Sequence, residues 1–459
     1  MPTSDRPNLA ETDRAPATVS GQFLDEIDKT LTVRLAILGC GNVGGALINI
    51  LTRQKADIAA RTGISFEIIG VAVSDLDRER NVDISPSLFT MDAKSLVTRD
   101  DVDVVVEVMG GLDPARALVE MALNASKPVV TGNKALLAVA GSQLAELAGS
   151  HGVDLLYEAA VASAIPVIRV VRESLAGERI KRIMGILNGT TNFILTRMDE
   201  EGSDYGAALI EAQELGLAER DPAADVEGFD AASKAAILAG LAFGCEVLGA
   251  DVYREGITNV RAVDVAFANR LGYVIKLLAI AEIVDGGPDI SVRVHPAMVP
   301  RSHPLASVRG AFNAVFVEGV ACGELMLYGR GAGGDAAASA VLGDLVDVAH
   351  NLVAGTCASV PRQLERNIFE HFDLSSAFYL SLDVADRPGV LAAVAQVFGN
   401  HGVSIRVMEQ VGLGKDARLI FLTHRAREGD VQDTIEELGH LQAVDNVGGL
   451  LRVIDFEPS

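Results

Sequence analysis

From Thr32 the chain alternates short apolar runs with amphipathic stretches. TVRLAILGCGNVGGALINIL reads as strand, glycine turn and helix; FEIIGVAVSD predicts a second strand, DVDVVVEVMG another and KPVVTGNK a further short one. Patterns such as ARALVEMALNAS, apolar on one helical face, lie between them. Strands alternating with helices predict a parallel, doubly wound α/β sheet of the Rossmann type.

The pattern then changes. GVDLLYEAAVASAIPVIRVVRESL predicts a strand, an irregular small-residue stretch and a helix, and RIKRIMGILNGTTNFIL repeats that style around an Asn-Gly-Thr-Thr turn. Between about 255 and 320, helices mix with β-like segments such as ISVRVHPAMV and NAVFVEGV, which predicts an α+β domain with an open sheet available for dimerisation. GRGAGGDAAASAVLGDLVDVAHNL predicts a glycine loop opening a long helix. The last segment, from AFYLSLDVADRPGVL through DARLIFLTHRA and DVQDTIEELG to a strand near Gly449 to Ile454, reads βαββαβ. The expected division is a flexible tail at 1–31, a doubly wound domain at 32–160 completed by about 321–350, an α+β domain at 161–320, a linker at 351–374 and a small independent domain at 375–459.

Composition narrows the partners. The formal net charge of −23 argues against nucleic acid as a partner, since phosphate binding needs a basic face, and weakens any docking on an anionic membrane. Cys40, Cys245, Cys322 and Cys357 are far apart and form no Cys-x-x-Cys, so zinc is not expected and reduced thiols are. The polar first thirty residues hold no signal-peptide core, and the longest apolar run, Ala235 to Cys245, is too short to span a bilayer; a cytoplasmic protein is expected.

Two segments carry candidate chemistry. Gly39-Cys40-Gly41-Asn42-Val43-Gly44 is a GxGxxG between a strand and a helix, where glycines allow the tight turn, the approach of a pyrophosphate and close packing, and the helix N-terminus faces the phosphates. Asp75, at the end of the second strand, suits a ribose 2′-hydroxyl and NAD, whereas Arg78 and Arg80 suit a 2′-phosphate and NADP; either cofactor stays open, with a lean to NAD. In LGLAERDPAADVEGFDAASK, Glu219, Asp221, Asp225, Glu227 and Asp230 crowd a turn that feeds a helix, with Lys234 one helical turn after Asp230. Such a cluster can hold a zwitterionic small molecule and move a proton; a solvated acidic loop with an ordinary i,i+4 ion pair is the plain alternative.

In this order the segments resemble homoserine dehydrogenase in the form with a C-terminal ACT domain. The resemblance spans roughly 32–459 and is carried by ILGCGNVGG, TGNKALLA, YEAAVASAIPVI, GILNGTTNFIL, LGLAERDPAADVEGFDAASK and GRGAGGDAAASA. It implies interconversion of L-homoserine and L-aspartate 4-semialdehyde with NAD or NADP in the branch toward threonine and methionine. The implied catalytic residues are Lys234, as acid/base, and Lys134, which polarises and positions the substrate. Glu219, Asp225 and Asp230 would take the substrate ammonium, and the Asn188-Gly189-Thr190-Thr191 turn its carboxylate. The cofactor set would be Gly39, Gly41, Asn42, Val43, Gly44, Asp75, Lys134 and Gly333. A monovalent cation, usually sodium in the family, would be held by Glu158 and the carbonyls of Val161, Ser163 and Ile165. Asp386, Pro388, Gly389, Val390 and Leu391 resemble the effector loop of an ACT domain, with L-threonine as the implied effector, and a homodimer or homotetramer is expected. Three departures stand out: Leu217 where many members have Tyr, Ser74 where many have Arg, and Asp335-Ala336-Ala337 in place of a common Pro-Thr pairing. A dehydrogenase for another amino-acid semialdehyde and a silent amino-acid sensor are the competing readings.

Overall fold

The computed structural model describes residues 30–284, 287–358, 363–412 and 417–455. Six parallel strands, β1 (Leu31–Leu38), β2 (Ile64–Ala72), β3 (Phe89–Thr90), β4 (Val104–Glu107), β5 (Val129–Thr131) and β6 (Leu155–Leu156), form one sheet in the order β3-β2-β1-β4-β5-β6. Side chains alternate across it. Leu35 and Ile37 of β1 pack toward the helices Asn42–Arg53 and Gly334–Ala354, and Ala36 and Leu38 toward Ala115–Asn124 and Lys134–His151. Both faces are thus covered, which is why the central strands read as unbroken apolar runs.

The helix Gly334–Ala354 is long and apolar enough to cross a membrane by length and composition. Its Ala338, Val341, Leu345 and Val348 are fully buried in the nucleotide domain's core, so its apolar stripe is a packing face.

The second sheet begins with β7 (Ile180–Ile186), β8 (Tyr253–Arg254), β9 (Tyr273–Ile283), β10 (Ile290–Pro300), β11 (Phe312–Gly319) and β12 (Glu324–Arg330). β11 and β12 form an antiparallel hairpin, so β12 lies at the edge of this sheet and only the helix from the 321–350 segment packs on the nucleotide domain. Over one face run the helices Gly189–Glu201 and Phe229–Phe243, which carry much of the candidate site.

The C-terminal module comprises β13 (Ser375–Val384), β14 (Ile405–Val411), β15 (Arg418–Thr423), β16 (Ala426–Arg427) and β17 (Val444–Val453), with helices Val390–Asn400 and Glu428–Gly439. Phe378, Leu380 and Leu382 face the module's own helices, while Tyr379, Leu451 and Val453 join the core of the second domain. β17 pairs in parallel with β10 through Ala297↔Arg452 and Met298↔Val453, making one eleven-stranded sheet. The buried Tyr379 hydroxyl donates to Asp264 Oδ1 at 2.6 Å across that join. Of the expected linker, Asn351–Ala354 completes the preceding helix, and Leu364 N bonds Gly244 O. Most of the expected N-terminal tail lies outside the described residues.

Candidate active site

Each glycine of the first turn answers to a different constraint. Gly39 has φ 102°, and a Cβ there would lie 2.8 Å from Val108 O. A Cβ on Gly44 would lie 2.1 Å from Gly39 O, too close for any side chain. A Cβ on Gly41 would meet nothing within 4 Å. That open space is what a pyrophosphate needs above the helix Asn42–Arg53. Gly334 closes the other side, its Cβ position 2.6 Å from Asn42 O, with Gly333 (φ 118°) before it.

A cleft of about 610 Å³ opens from this turn toward the second domain. Asn42, Val43 and Gly333 line its nucleotide end, and Lys134, Gly189, Thr190, Glu219, Asp225, Asp230 and Lys234 its far end, together with Ser163 and Leu217. Gly39, Gly41 and Gly44 are outside the lining, Gly41 being exposed; Glu158, Val161 and Ile165 are buried, and Asp75 is exposed three residues past the end of β2. A larger cleft, about 940 Å³ between Arg172, Leu241 and Arg366, contains none of the residues singled out from the sequence.

At the far end two ammonium groups share one carboxylate. Lys134 opens the helix that Asn133 caps, Asn133 Oδ1 accepting from Leu136 N, and its Nζ lies 3.0 Å from Asp230 Oδ1. Lys234, 8% exposed, donates to Asp230 Oδ2 at 2.7 Å and to Leu187 O at 2.7 Å. Burial alone would raise the Asp230 carboxyl; the two lysines and the N–H of Asn188 outweigh it and hold the group well below the usual carboxylate range. Both Asp230 oxygens are thereby engaged with cations, so this acid orients the lysines.

Asn188 ties the acids together. Its Nδ2 donates to Asp225 Oδ1 at 2.7 Å and to Asp230 Oδ2 at 3.0 Å, while its Oδ1 accepts from Thr191 N at 2.8 Å as the cap of the helix Gly189–Glu201. The hydroxyls that the sequence offered for a substrate carboxylate are committed elsewhere: Thr190 Oγ1 donates to Leu217 O and Thr191 Oγ1 to Asn188. What remains for an anion is the N–H pair of Gly189 and Thr190 at the helix start. Gly189 fits there because a Cβ would lie 2.8 Å from Ala311 O, on a loop held by Asn192 and the buried Lys276.

Glu158 accepts from Ile168 N and Arg169 N, each at 2.8 Å, and its own N–H donates to Asp344 Oδ2. Burial raises its carboxyl, against the pull of those two N–H donors, and pushes Asp344 up to about 7. Between Val161 and Ile165, Ala162 (φ 56°) and Ser163 (φ 47°) are consecutive left-handed residues with side chains, each costing about 1–3 kcal/mol. Both Glu158 oxygens accept backbone N–H groups, and Ile165 O accepts from Val167 N at 2.7 Å.

Sequence reasoning missed Glu107. Fully buried at the end of β4, it accepts from Met109 N, Gly110 N and Thr131 Oγ1, and so sets the loop that lines the middle of the cleft. A lone acid inside VVVEV was the available signal.

Family models described as "Homoserine dehydrogenase, NAD binding domain", "Homoserine dehydrogenase" and "ACT domain" match residues 39–158, 166–346 and 378–439. The chain belongs to the homoserine dehydrogenase family. The homoserine dehydrogenase of Corynebacterium glutamicum is 48% identical over 92% of this chain and 95% of that protein, and that of Bacillus subtilis 40% identical over 92% and 98%. A solved homoserine dehydrogenase from Thiobacillus denitrificans superposes with a TM-score of 0.85 at 38% identity, covering 92% of this chain and 98% of that one. A hyperthermophilic archaeal homoserine dehydrogenase in complex with NADPH, 28% identical, covers 70% of this chain and 98% of its own with a TM-score of 0.58.

The glycine geometry of this homoserine dehydrogenase fold makes a separable prediction. Gly41 has φ −87°, open to any residue, so Gly41→Ala is expected to fold normally. Its methyl group would occupy the pyrophosphate's approach and raise the Kd for NAD(P)H about tenfold or more, read by titrating reduced-nicotinamide fluorescence. Gly44→Ala is expected to lose the folded nucleotide domain instead, seen as a lowered unfolding midpoint.

Proposed function

We propose that this enzyme oxidises L-homoserine to L-aspartate 4-semialdehyde and runs the reverse reduction, using NAD or NADP. The observation that carries the reading is the convergence of Lys134 and Lys234 on Asp230, at the junction of the dinucleotide turn and the acidic turn. A bound nicotinamide supplies or accepts the hydride. In the reductive direction negative charge grows on the aldehyde oxygen; the Lys234 ammonium stabilises it and gives up a proton, and in the oxidative direction Lys234 takes the hydroxyl proton. Lys134 polarises and positions the same oxygen. Glu219 and Asp225 receive the substrate ammonium within the negative field of Asp230, and the N–H groups of Gly189 and Thr190 receive its carboxylate.

Asp75 favours the ribose of NAD. Arg78 and Arg80 follow Asp75 on the same exposed loop, Arg80 donating to Asp75 O and Arg78 O, and their charge would suit an NADP 2′-phosphate, so use of both cofactors is part of the reading. The archaeal relative with bound NADPH points the same way. A monovalent cation, sodium by preference, would be held by Glu158 and the carbonyls of Val161, Ser163 and Ile165, around the left-handed Ala162 and Ser163. The effector would be L-threonine at the exposed Asp386-Arg387-Pro388-Gly389 turn. There Gly389 (φ 91°) precedes the helix Val390–Asn400, which has no side-chain cap; the Val390 amide donates to Arg387 O, so the Leu391 amide is the one offered to a carboxylate. Association as a homodimer or homotetramer is supported by the exposed aromatic pair Phe312 and Tyr328 at the sheet edge.

Initial rates of homoserine-dependent NAD(P)H formation test these parts. Replacing sodium by tetramethylammonium is expected to lower the rate about tenfold or more, and added L-threonine to suppress it by about fivefold or more. An unchanged rate in the first arm removes the cation from the reading, and in the second removes the effector.

A further inference from the structure

β17 of the C-terminal module carries a charged residue into an almost dry place: Arg452 is 2% exposed. Its Nη1 donates to Glu255 Oε2 at 2.6 Å and its Nη2 lies 2.6 Å from Glu255 Oε1, so Glu255 is gripped in a two-pronged fork. Nε donates to Glu428 Oε2 at 3.1 Å, and Nη2 also meets Glu428 Oε1. Glu428 belongs to the same module as Arg452; Glu255 belongs to the substrate domain. Glu255, His371 and Glu428 lie close enough together to suggest a metal site. The guanidinium already engages both carboxylates, and the His371 ring stacks on Tyr253 at 3.5 Å between centroids, so the cluster is a closed ionic joint.

Glu255 sits on the segment that backs the acidic turn. Ile257 N donates to Val226 O at 2.8 Å, and Glu255 N to Val294 O on β10 at 2.7 Å. Gly256 lies so near that a Cβ there would stand 2.3 Å from Val226 O and 2.6 Å from Glu227 Cα. Gly228 (φ 84°), which begins the helix bearing Asp230 and Lys234, would meet Glu255 O at 3.3 Å in the same way. The Arg254 guanidinium lies 3.7 Å from the centroid of the Phe229 ring. Among the described residues β17 pairs with β10 at Ala297↔Arg452 and Met298↔Val453, with Ile454 N donating to Met298 O, and the fork on Glu255 ties the module directly to this segment.

We propose that Arg452, through Glu255, is a positioning residue for the turn from Asp225 to Asp230, which makes the last strand of the ACT module a working part of the substrate site. The chain of contact runs Arg452, Glu255, Gly256 and Ile257, Val226, then Asp225 on one side and Gly228 with Asp230 on the other. A shift of β17 against β10 reaches the substrate acids by this route, whether or not threonine causes it. The activity readout rests on the homoserine assignment; the exchange readout below does not.

The test compares Glu255→Gln with Glu428→Gln in the full-length enzyme. Both remove a carboxylate charge from Arg452, buried in Glu428 and partly exposed in Glu255, and each is expected to lower the unfolding midpoint, but Glu255 alone touches the turn. Glu255→Gln should raise the KM for homoserine about three- to thirtyfold, with the KM for the dinucleotide unchanged. Glu428→Gln should leave both KM values within about twofold of the parent. Hydrogen–deuterium exchange of peptides spanning 222–229 should quicken by about threefold or more in Glu255→Gln and stay at the parent rate in Glu428→Gln. If Glu255→Gln does not fold, Glu255→Asp, which withdraws the carboxylate by one methylene, carries the same expectation. Unchanged homoserine KM and unchanged exchange in the Glu255 variant, or equal effects from both variants, would overturn the proposal. Failure of the parent enzyme to oxidise homoserine would instead refute the assigned reaction, with the exchange comparison still deciding this one.

Discussion

Lys234→Ala is expected to lower kcat for homoserine oxidation by about 10²- to 10⁴-fold while the Kd for NAD(P)H stays near that of the parent. The ammonium it removes is nearly buried and fixed by two acceptors, Leu187 O and Asp230 Oδ2, so its position is set before any substrate arrives. A group held that way contributes at the transition state without first being ordered. The dinucleotide turn lies at the other end of the cleft and keeps its glycines and helix, which is why cofactor binding should survive. Some stability is expected to go as well, about 1–3 kcal/mol, because Leu187 O loses a buried donor. Lys134 is about half exposed and meets the same carboxylate from the nucleotide domain. Lys134→Ala should therefore weigh more on KM for homoserine than Lys234→Ala does. Stopped-flow traces with saturating cofactor separate the two effects, and an unimpaired chemical step in Lys234→Ala would remove it from the reaction.

Asp230→Asn is expected to damage both stability and turnover. The carboxylate is the shared partner of two lysines and of Asn188, and the amide that replaces it offers one oxygen and no charge. A buried ammonium left without its carboxylate should cost about 3–5 kcal/mol, and kcat/KM for homoserine should fall by about 10²-fold or more as the two cations lose their common anchor. The pH dependence has a definite sign. The folded-state carboxyl is held below its unfolded value, so its stabilisation is fully present above about pH 4 and is lost as pH falls toward the folded value. The stability gap between parent and variant should then be constant at neutral pH and narrow below about pH 4, measured by urea unfolding across that range. A gap that widens toward acid would contradict the ion-pair account.

The parts of this architecture legible in the sequence are those where one residue type answers one local demand. Gly39 and Gly44 are dictated by backbone contacts that admit no Cβ, so the turn could be read from three letters and their spacing. The Asp230–Lys234 contact was legible because the two stand one helical turn apart. The parallel sheet followed from strands alternating with amphipathic helical stretches, and the helices on both faces explain the unbroken apolar runs. What stayed hidden depends on residues far apart in the chain. Lys134 reaches Asp230 only because the nucleotide domain meets the helix Phe229–Phe243 across the cleft. Thr190 looked like a ligand for substrate but spends its hydroxyl on the Leu217 carbonyl. Arg452 reads in sequence as an ordinary charge at the end of a strand; its burial arises because β17 joins β10, a pairing that no local pattern encodes.

The central claim is tested most directly by the rate at which the purified, sodium-supplied enzyme reduces NAD or NADP with L-homoserine at alkaline pH, L-threonine serving as the alternative substrate. The account predicts turnover with homoserine, none with threonine as substrate, and loss of that turnover in Lys234→Ala. A folded enzyme that binds NAD(P)H yet shows no homoserine-dependent reduction with either cofactor would contradict it.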